Sequence, residues 1–559
     1  MAMDSQQQQQ QNQQKKTSVR CDPSKLRKRY DRALKHKDQF RSLYEDAYQY
    51  ALPNRNLLNS ETPGEKKVDR MFDSTGQSAV IGFVNRLHND LTPPFQKWVD
   101  MAPGPFVPEK QRTEVKTALE DANNKFFAAL RASNFDTAAP EGYAELAIGT
   151  MPMLFLEGDD ASPFQFVPVP FEHIAIEEGA WGNVSGVFRT WRQIEIRVIK
   201  DQWSDAQIPE EMQKLQQDDD SAKVDLFEST YYDKTSEQWL YDVCWKIGGE
   251  TKAENTRLVE RDYPENPWLI TRLNKLPGEA YGRGPVILAM PDIKTINKIT
   301  ELVLKNAALN IAGVYTAVDD GVLNPNVVVI APGAVIPVAS NGGSRGPSLQ
   351  SLRNPSDLQF SQLEKEELTM RIKQMLLDNR LPPEAGPVRS ATEIVERIKE
   401  LATDRGSLFG RMMHEFILPL VRRGLGILYR RGIIQTEIKL DGLFVEAQVL
   451  SPLAKDQNLN EVEAVVRALS ILAGFGNEIL TLSAKMEDIG PWIMEQFGVP
   501  AKLIRSTDER EALQKMAGQM AAQQQQQGQQ GAIPIGGGAA PMAPEIGIAG
   551  QAAGIPLAA

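Results

Sequence analysis

The chain is poor in the residues that most often carry chemistry. It has two cysteines, Cys21 and Cys244, in 559 residues. They are too few and too far apart for a disulfide framework or a Cys-x-x-Cys metal knuckle, so both read as structural thiols in a reducing compartment. The four histidines, His36, His88, His173 and His414, stand apart without a His-Glu-x-x-His pattern and read as surface or core residues rather than metal ligands. No Gly-Lys dipeptide occurs, which excludes the phosphate-cradling Gly-x-x-x-x-Gly-Lys-Ser/Thr loop and a motor that burns nucleotide. Positive charge is in deficit: 62 Lys and Arg against 73 Asp and Glu give a net charge of -11. That excludes wrapping nucleic acid by bulk phosphate neutralisation. No apolar run reaches membrane-spanning length, since even Leu302 to Val314 is broken by Lys305, Asn306 and Asn310. The opening Met-Ala-Met-Asp and its glutamine run lack the basic and apolar regions of a secretory signal. A soluble protein made in the cytosol, with no membrane partner and no cofactor, is expected.

What is present is mostly amphipathic. Gln6 to Gln14 and Ala521 to Ala559 lack periodicity and are expected to be disordered, leaving residues 21–520 as the folded part. From Pro23 to Leu52 apolar residues recur at three and four, opposite a basic face of Lys25, Arg27, Lys28, Arg29, Arg32, Lys35 and Lys37 whose ordinary reading is a solvated surface. Further helices are predicted at Ser74 to Leu91, closed by Thr92-Pro93-Pro94, and at Glu109 to Ala132. Between Met153 and Val259 short runs rich in aromatic and β-branched residues, each bounded by Gly, Asp or Pro, predict an antiparallel sheet with a helical excursion at Glu210 to Gln216. The three aspartates Asp218 to Asp220 lack the Gly turn and closing Glu of a calcium loop and read as solvated.

The centre of the chain looks mechanical. Asp292 can cap a helix that uses Ile293, Ile296, Ile299, Leu302 and Leu309 and is roughly 30 Å long at 1.5 Å per residue. Residues 313–356 hold short β-like runs and the flexible Asn341-Gly-Gly-Ser-Arg-Gly-Pro347, which predicts a small lobe at the tip of the rod. A return helix from Asp357 through Leu358, Leu363, Leu368 and Ile372 to Asp378 is expected to lie antiparallel to the first. After a loop at 379–390, Ser390-Ala-Thr-Glu393 can cap a helix running to about Arg431, which Pro419 is expected to bend. Returning strands to residue 450 and a helical cap over 451–520 complete an α+β, mainly α, fold. Gly342-Gly-Ser344-Arg-Gly346 matches the Gly-x-Ser-x-Gly nucleophile elbow, but Pro347 and the surrounding loop deny it the strand-turn-helix context that a serine hydrolase needs. A non-viral helical scaffold that oligomerises through the helical pair is a second alternative.

Several segments in order resemble the portal, or head-to-tail connector, proteins of short-tailed bacteriophages. They are Tyr44-Glu-Asp-Ala-Tyr-Gln-Tyr-Ala-Leu-Pro53, Phe72-Asp-Ser-Thr-Gly76, Leu91-Thr-Pro-Pro94 before Trp98, Pro168-Val-Pro-Phe-Glu172, Gly186-Val-Phe-Arg189 and Tyr281-Gly-Arg-Gly-Pro285. The run Arg411-Met to Pro419-Leu-Val-Arg422 and Ser451-Pro-Leu-Ala-Lys-Asp-Gln457 extend the resemblance nearly end to end. It implies a ring of about twelve copies at one capsid vertex of the virion. Residues 21–291 and 391–450 would form the wing, 292–312 and 357–378 the stem, 313–356 an α/β clip, 379–390 the tunnel loop and 451–520 the crown. The implied partners are double-stranded DNA, the large terminase subunit, the major capsid and scaffolding proteins and tail adaptor proteins. An acidic ring would repel phosphates and keep the tunnel slippery. Arg380 and Arg389 in the loop, with Lys365, Arg371 and Lys373 on the stem, are the candidates for transient DNA contact, or else ordinary surface and inter-subunit charges.

Overall fold

The structure is a computed structural model that describes residues 20–55, 71–245, 257–312, 315–317, 349–351, 358–377, 410–438, 440, 442, 445–449, 462, 464–472, 474 and 486–496, with isolated positions 505, 510 and 516. Two units are separated between Ala484 and Lys485. In the second, the helix Met486–Gln496 is described.

Within the first unit the chain begins with two helices where one periodic run was expected. α1 (Pro23–Asp38) starts on Asp22, whose carboxylate accepts from the Ser24 amide at 2.8 Å, with Pro23 in the first turn, where its missing N–H costs nothing. The run breaks at Gln39 and Phe40 and resumes as α2 (Arg41–Ala51), so that Phe40 turns into the core against Tyr281. α3 (Thr75–Leu91) and α4 (Glu109–Ala132) follow as expected, with an unexpected strand between them, β1 (Val99–Pro103). α5 (Phe135–Ile148) was not expected: it is buried along most of its length and so lacks a polar stripe.

β2 (Thr150–Glu157), β3 (Phe164–Pro168), β4 (Ile174–Glu178) and β5 (Val184–Glu195) come next, then the short α6 (Ile196–Gln202) and α7 (Glu210–Asp218). β6 (Lys223–Asp233), β7 (Gln238–Trp245), β8 (Arg257–Tyr263) and β9 (Trp268–Arg272) complete the sheet region. β4 to β8 form one antiparallel meander in chain order, while β2 sits between β3 and β9 in a separate sheet. Both faces of the meander are covered. α6 and α7 bury Ile199 and Met212 against Tyr241 and Val243, and α1 buries Leu26 and Ala33 against Phe188 and Leu240. Lys37 belongs to this packing and not to a solvated face: it is 5% exposed and its Nζ donates to the carbonyls of Phe171 and Glu172.

α8 (Pro285–Ala312) leads out of the main core, and α9 (Leu358–Met375) returns to it. Their far ends are joined through the antiparallel pair β10 (Tyr315–Ala317) and β11 (Leu349–Ser351), while Ile293, Ile296, Ile372 and Leu376 at their near ends are all buried, so the helices run antiparallel. Asp292 is not a cap. The helix already starts at Pro285 and carries Pro291 within it, because the Gly-Arg-Gly-Pro285 segment is the true stop to the preceding loop. Just before Pro419, where a bend was expected, lies a π-helical turn, Met413–Ile417, leading into α10 (Leu418–Arg430); a widened turn accommodates the missing proline donor. β12 (Val445–Val449) pairs antiparallel with β1, tying the end of the unit to its beginning. The Ser390–Glu393 cap, the loop at 379–390, Ser344 and the tip lobe apart from β10 and β11 lie outside the described residues.

Candidate functional site

The joint from which α8 departs is built backbone against backbone. A Cβ on Gly282 would lie 2.3 Å from the Gly149 carbonyl oxygen, and one on Gly284 would lie 2.1 Å from that of Ala147. The Gly284 amide donates to Ile148 at 2.7 Å and the Gly282 amide to Thr150 Oγ1 at 3.0 Å, while the Tyr281 hydroxyl accepts from the Ile176 amide. Asp73 makes the second anchor. Its carboxylate accepts from Lys365 at 2.8 Å, from Thr300 at 3.3 Å and from the Thr75 amide at 2.8 Å, so one acid ties α9, α8 and the start of α3 together. Burial pushes the Asp73 carboxyl up, but the bonds from Lys365 and Thr75 outweigh it and hold the group below its ordinary value.

Beyond this joint the α8–α9 pair is a hairpin with apolar groups left uncovered. Leu302 and Leu304 are 54% and 52% exposed, and on α9 Leu363 and Met370 are 66% and 65% exposed. Residues two apart on an α-helix point about 200° apart. Leu302 and Leu304 therefore face opposite ways, and the hairpin offers apolar surface on two sides. Of the proposed channel cations, Lys365 is engaged by Asp73, Arg371 pairs with Glu367 one turn away, and Lys373 is half-buried. Arg380 and Arg389 lie outside the described residues.

A second exposed feature was missed in the sequence. Trp181 is 95% exposed at the turn between β4 and β5, held by a 2.7 Å bond from the Gly179 amide to the Asn183 carbonyl and by Gly182 at φ +77°, a left-handed conformation that favours glycine. The Gly182 carbonyl accepts from Arg272 at 3.0 Å and Lys275 at 3.1 Å. Arg272 is itself buried and forked onto Glu415, with 2.8 Å bonds from both its side chain and its amide, and Lys275 pairs with Glu178. The turn is thus bolted through β9 to the π-helical turn. It overlooks an open cleft of about 740 Å³ whose lining includes Trp239, Trp268, Arg411, His414 and Arg422. An aromatic inside Gly-Ala-Trp-Gly-Asn was the available signal, because a turn of that composition cannot bury it.

Among the described residues no group of three or more His, Cys, Asp or Glu could hold a metal ion. Burial pushes the Cys244 thiol up to about 12, so it is inert, and burial lowers His88 below its ordinary value. Among the described residues no helix is long and apolar enough to cross a membrane.

A family model described as bacteriophage head to tail connecting protein matches residues 23–504. The probable portal protein of Bordetella phage BPP-1 is 22% identical over 547 residues, covering 91% of this chain and 92% of the relative. The portal proteins of Enterobacteria phage T3 and Escherichia phage T7 are each 21% identical, covering 79% of this chain and 82% of theirs. Among solved structures, a chain of the neck of an empty GTA particle aligns with a TM-score of 0.31 and 14% identity over 70% of this chain and 86% of its own.

Proposed function

Since this chain belongs to the bacteriophage head-to-tail connecting protein family, we propose that the α8–α9 hairpin is the element through which its copies close into a ring. The protein is a structural portal component of the virion, sited at the capsid vertex, and not an enzyme. A closed cyclic ring uses head-to-tail contacts, so every subunit needs two different surfaces that complement each other. The observation that carries this reading is the pair Leu302 and Leu304, half-exposed on opposite sides of one projecting helix. Covering each by a neighbour contributes on the order of 1 kcal/mol, repeated at every interface around the ring.

In this reading the hairpin is the stem, residues 313–356 the clip, 379–390 the tunnel loop and 451–520 the crown, with β1 to β9, β12 and α1 to α5 in the wing. DNA passes along the axis, with Arg371, Lys373, Arg380 and Arg389 as its transient contacts and Lys365 reserved for Asp73. The large terminase subunit, scaffolding and major capsid proteins and tail adaptors are its partners in filling, shell assembly and tail attachment. The test is electron microscopy of the purified chain. Rings of about twelvefold symmetry with an axial hole are expected; compact monomers or dimers at high concentration would overturn the reading.

A further inference from the structure

We propose that the cleft beneath Trp181 receives the acidic end of the β4–β8 meander of a second copy of this chain, so that the sheet domains are joined head to tail as well as the hairpins. This inference rests on the ring reading above.

The cleft is built like a docking socket. Trp181 is almost wholly exposed on a turn that Lys275 and Arg272, itself paired with Glu415, hold in place, so little conformational freedom is lost when it is covered. Exposed, preorganised tryptophans with arginines nearby are the residues that dominate binding energy at protein interfaces. The cleft's charge runs against the chain's. Its lining holds Arg272, Lys275, Arg411 and Arg422 against Glu265 and Glu415. Arg422 donates to the neutral carbonyl of Leu440 at 2.8 Å and makes no ion pair among the described residues. Arg411 lies 3.4 Å from Glu415, whose carboxylate it shares with Arg272. A basic socket in a chain of net charge -11 calls for an acidic, partly apolar occupant.

The chain carries such an occupant at the other end of the same sheet. Register pairs Gly186 of β5 with Tyr231 of β6, and Glu195 with Lys223. The Trp181 turn is therefore at one end of the meander, and the connection through α6 and α7 is at the other. The twelve residues of β5 separate them, and their eleven steps span roughly 36 Å at 3.3 Å per step. At that far end α7 and the turn after it expose Glu210, Glu211, Asp218, Asp219 and Asp220 around Leu215, which is 44% exposed. Socket and plug at opposite ends of one rigid sheet cannot meet within a subunit. A head-to-tail contact fills the socket and the plug of every copy, and repeated around an axis it closes into a ring.

The experiment uses the full chain in two charge-reversed forms: Arg411→Glu with Arg422→Glu, and Asp218→Lys with Asp219→Lys and Asp220→Lys. Each alone places like charges across the contact and is expected to lower the fraction of chain in rings at least about tenfold, a size in keeping with close interfacial charge pairs. Mixing the two restores opposite charges at every contact of an alternating ring, and rings are expected to return. Rings that persist in both variants, or that fail to return on mixing, overturn the proposal while leaving the hairpin reading intact; absence of rings in the wild type overturns both. Should a reversed form fail to fold by circular dichroism, Trp181→Cys with Asp219→Cys in one chain, treated with a short bis-maleimide, decides. A ladder of linked subunits beyond that of Trp181→Cys alone is expected, and its absence overturns the proposal.

Discussion

At the scale of single residues, polarity in this chain is a poor guide to position. Lys37 stands in a basic run on α1, yet it is buried over the Phe171 ring, 4.7 Å from the centroid, and caps two carbonyls. Burial lowers its pKa from 10.5 to about 8, despite Glu172 nearby. The unfolded chain therefore holds this proton up to higher pH than the folded chain. Stability from this group rises as pH climbs from about 8 toward 10.5, where the unfolded lysine also loses its proton, and is least below 8 where both are charged. Urea unfolding of the wild type and of Lys37→Met at pH 7.5 and 9.5 checks this. The wild type should gain roughly 2 kcal/mol relative to the variant between the two values; an equal response in both would show that the lysine does not titrate in this window.

At the scale of elements, the pieces best defined by their own sequence are the amphipathic helices, and the pieces that surprise are those covered on all sides. α3 and α4 follow their apolar stripes to within a residue, because each has one buried and one wet face. α5, β8 and β9 are invisible to the same reasoning: α5 is buried along most of its length and β9 throughout, and β8 follows a segment of no clear period. The connection between elements rests on a few ion pairs. Glu415→Gln should destabilise the fold by about 3 kcal/mol, because it strands Arg272, which is 3% exposed, without its counter-charge. It should also loosen the Trp181 turn, seen as faster amide hydrogen exchange at Gly179 and Gly182 before global unfolding. A variant as stable as the wild type would mean that the Gly182 and Ala280 carbonyls alone satisfy the arginine.

At the scale of the whole molecule, the uncovered apolar surface and the charge layout both ask for copies of the same chain. Leu302→Lys with Leu363→Lys should leave the monomer fold and its melting temperature nearly unchanged, since both side chains are more than half exposed. The same pair should shift sedimentation from rings to small species, because each neighbour would then meet a charge where it needs an apolar contact. Rings of unchanged size in this variant would remove the hairpin from the assembly interface.

The sequence by itself determined the class of the molecule: a mixed helix and sheet chain without metal knuckle or phosphate cradle, with a projecting helical pair, and with ordered segments whose succession matches the head-to-tail connectors. These follow from local periodicity and from residue types that chemistry requires, both of which a linear chain displays. Tertiary structure alone decided that Asp73 gathers three helices, that Lys37 and Arg272 are interior, and that Trp181 is held outward over a basic cleft with the acidic turn at the far end of its sheet. Each of these depends on which distant segments meet, and contact between residues a hundred or more apart is set by packing of the whole core rather than by any neighbour in the chain.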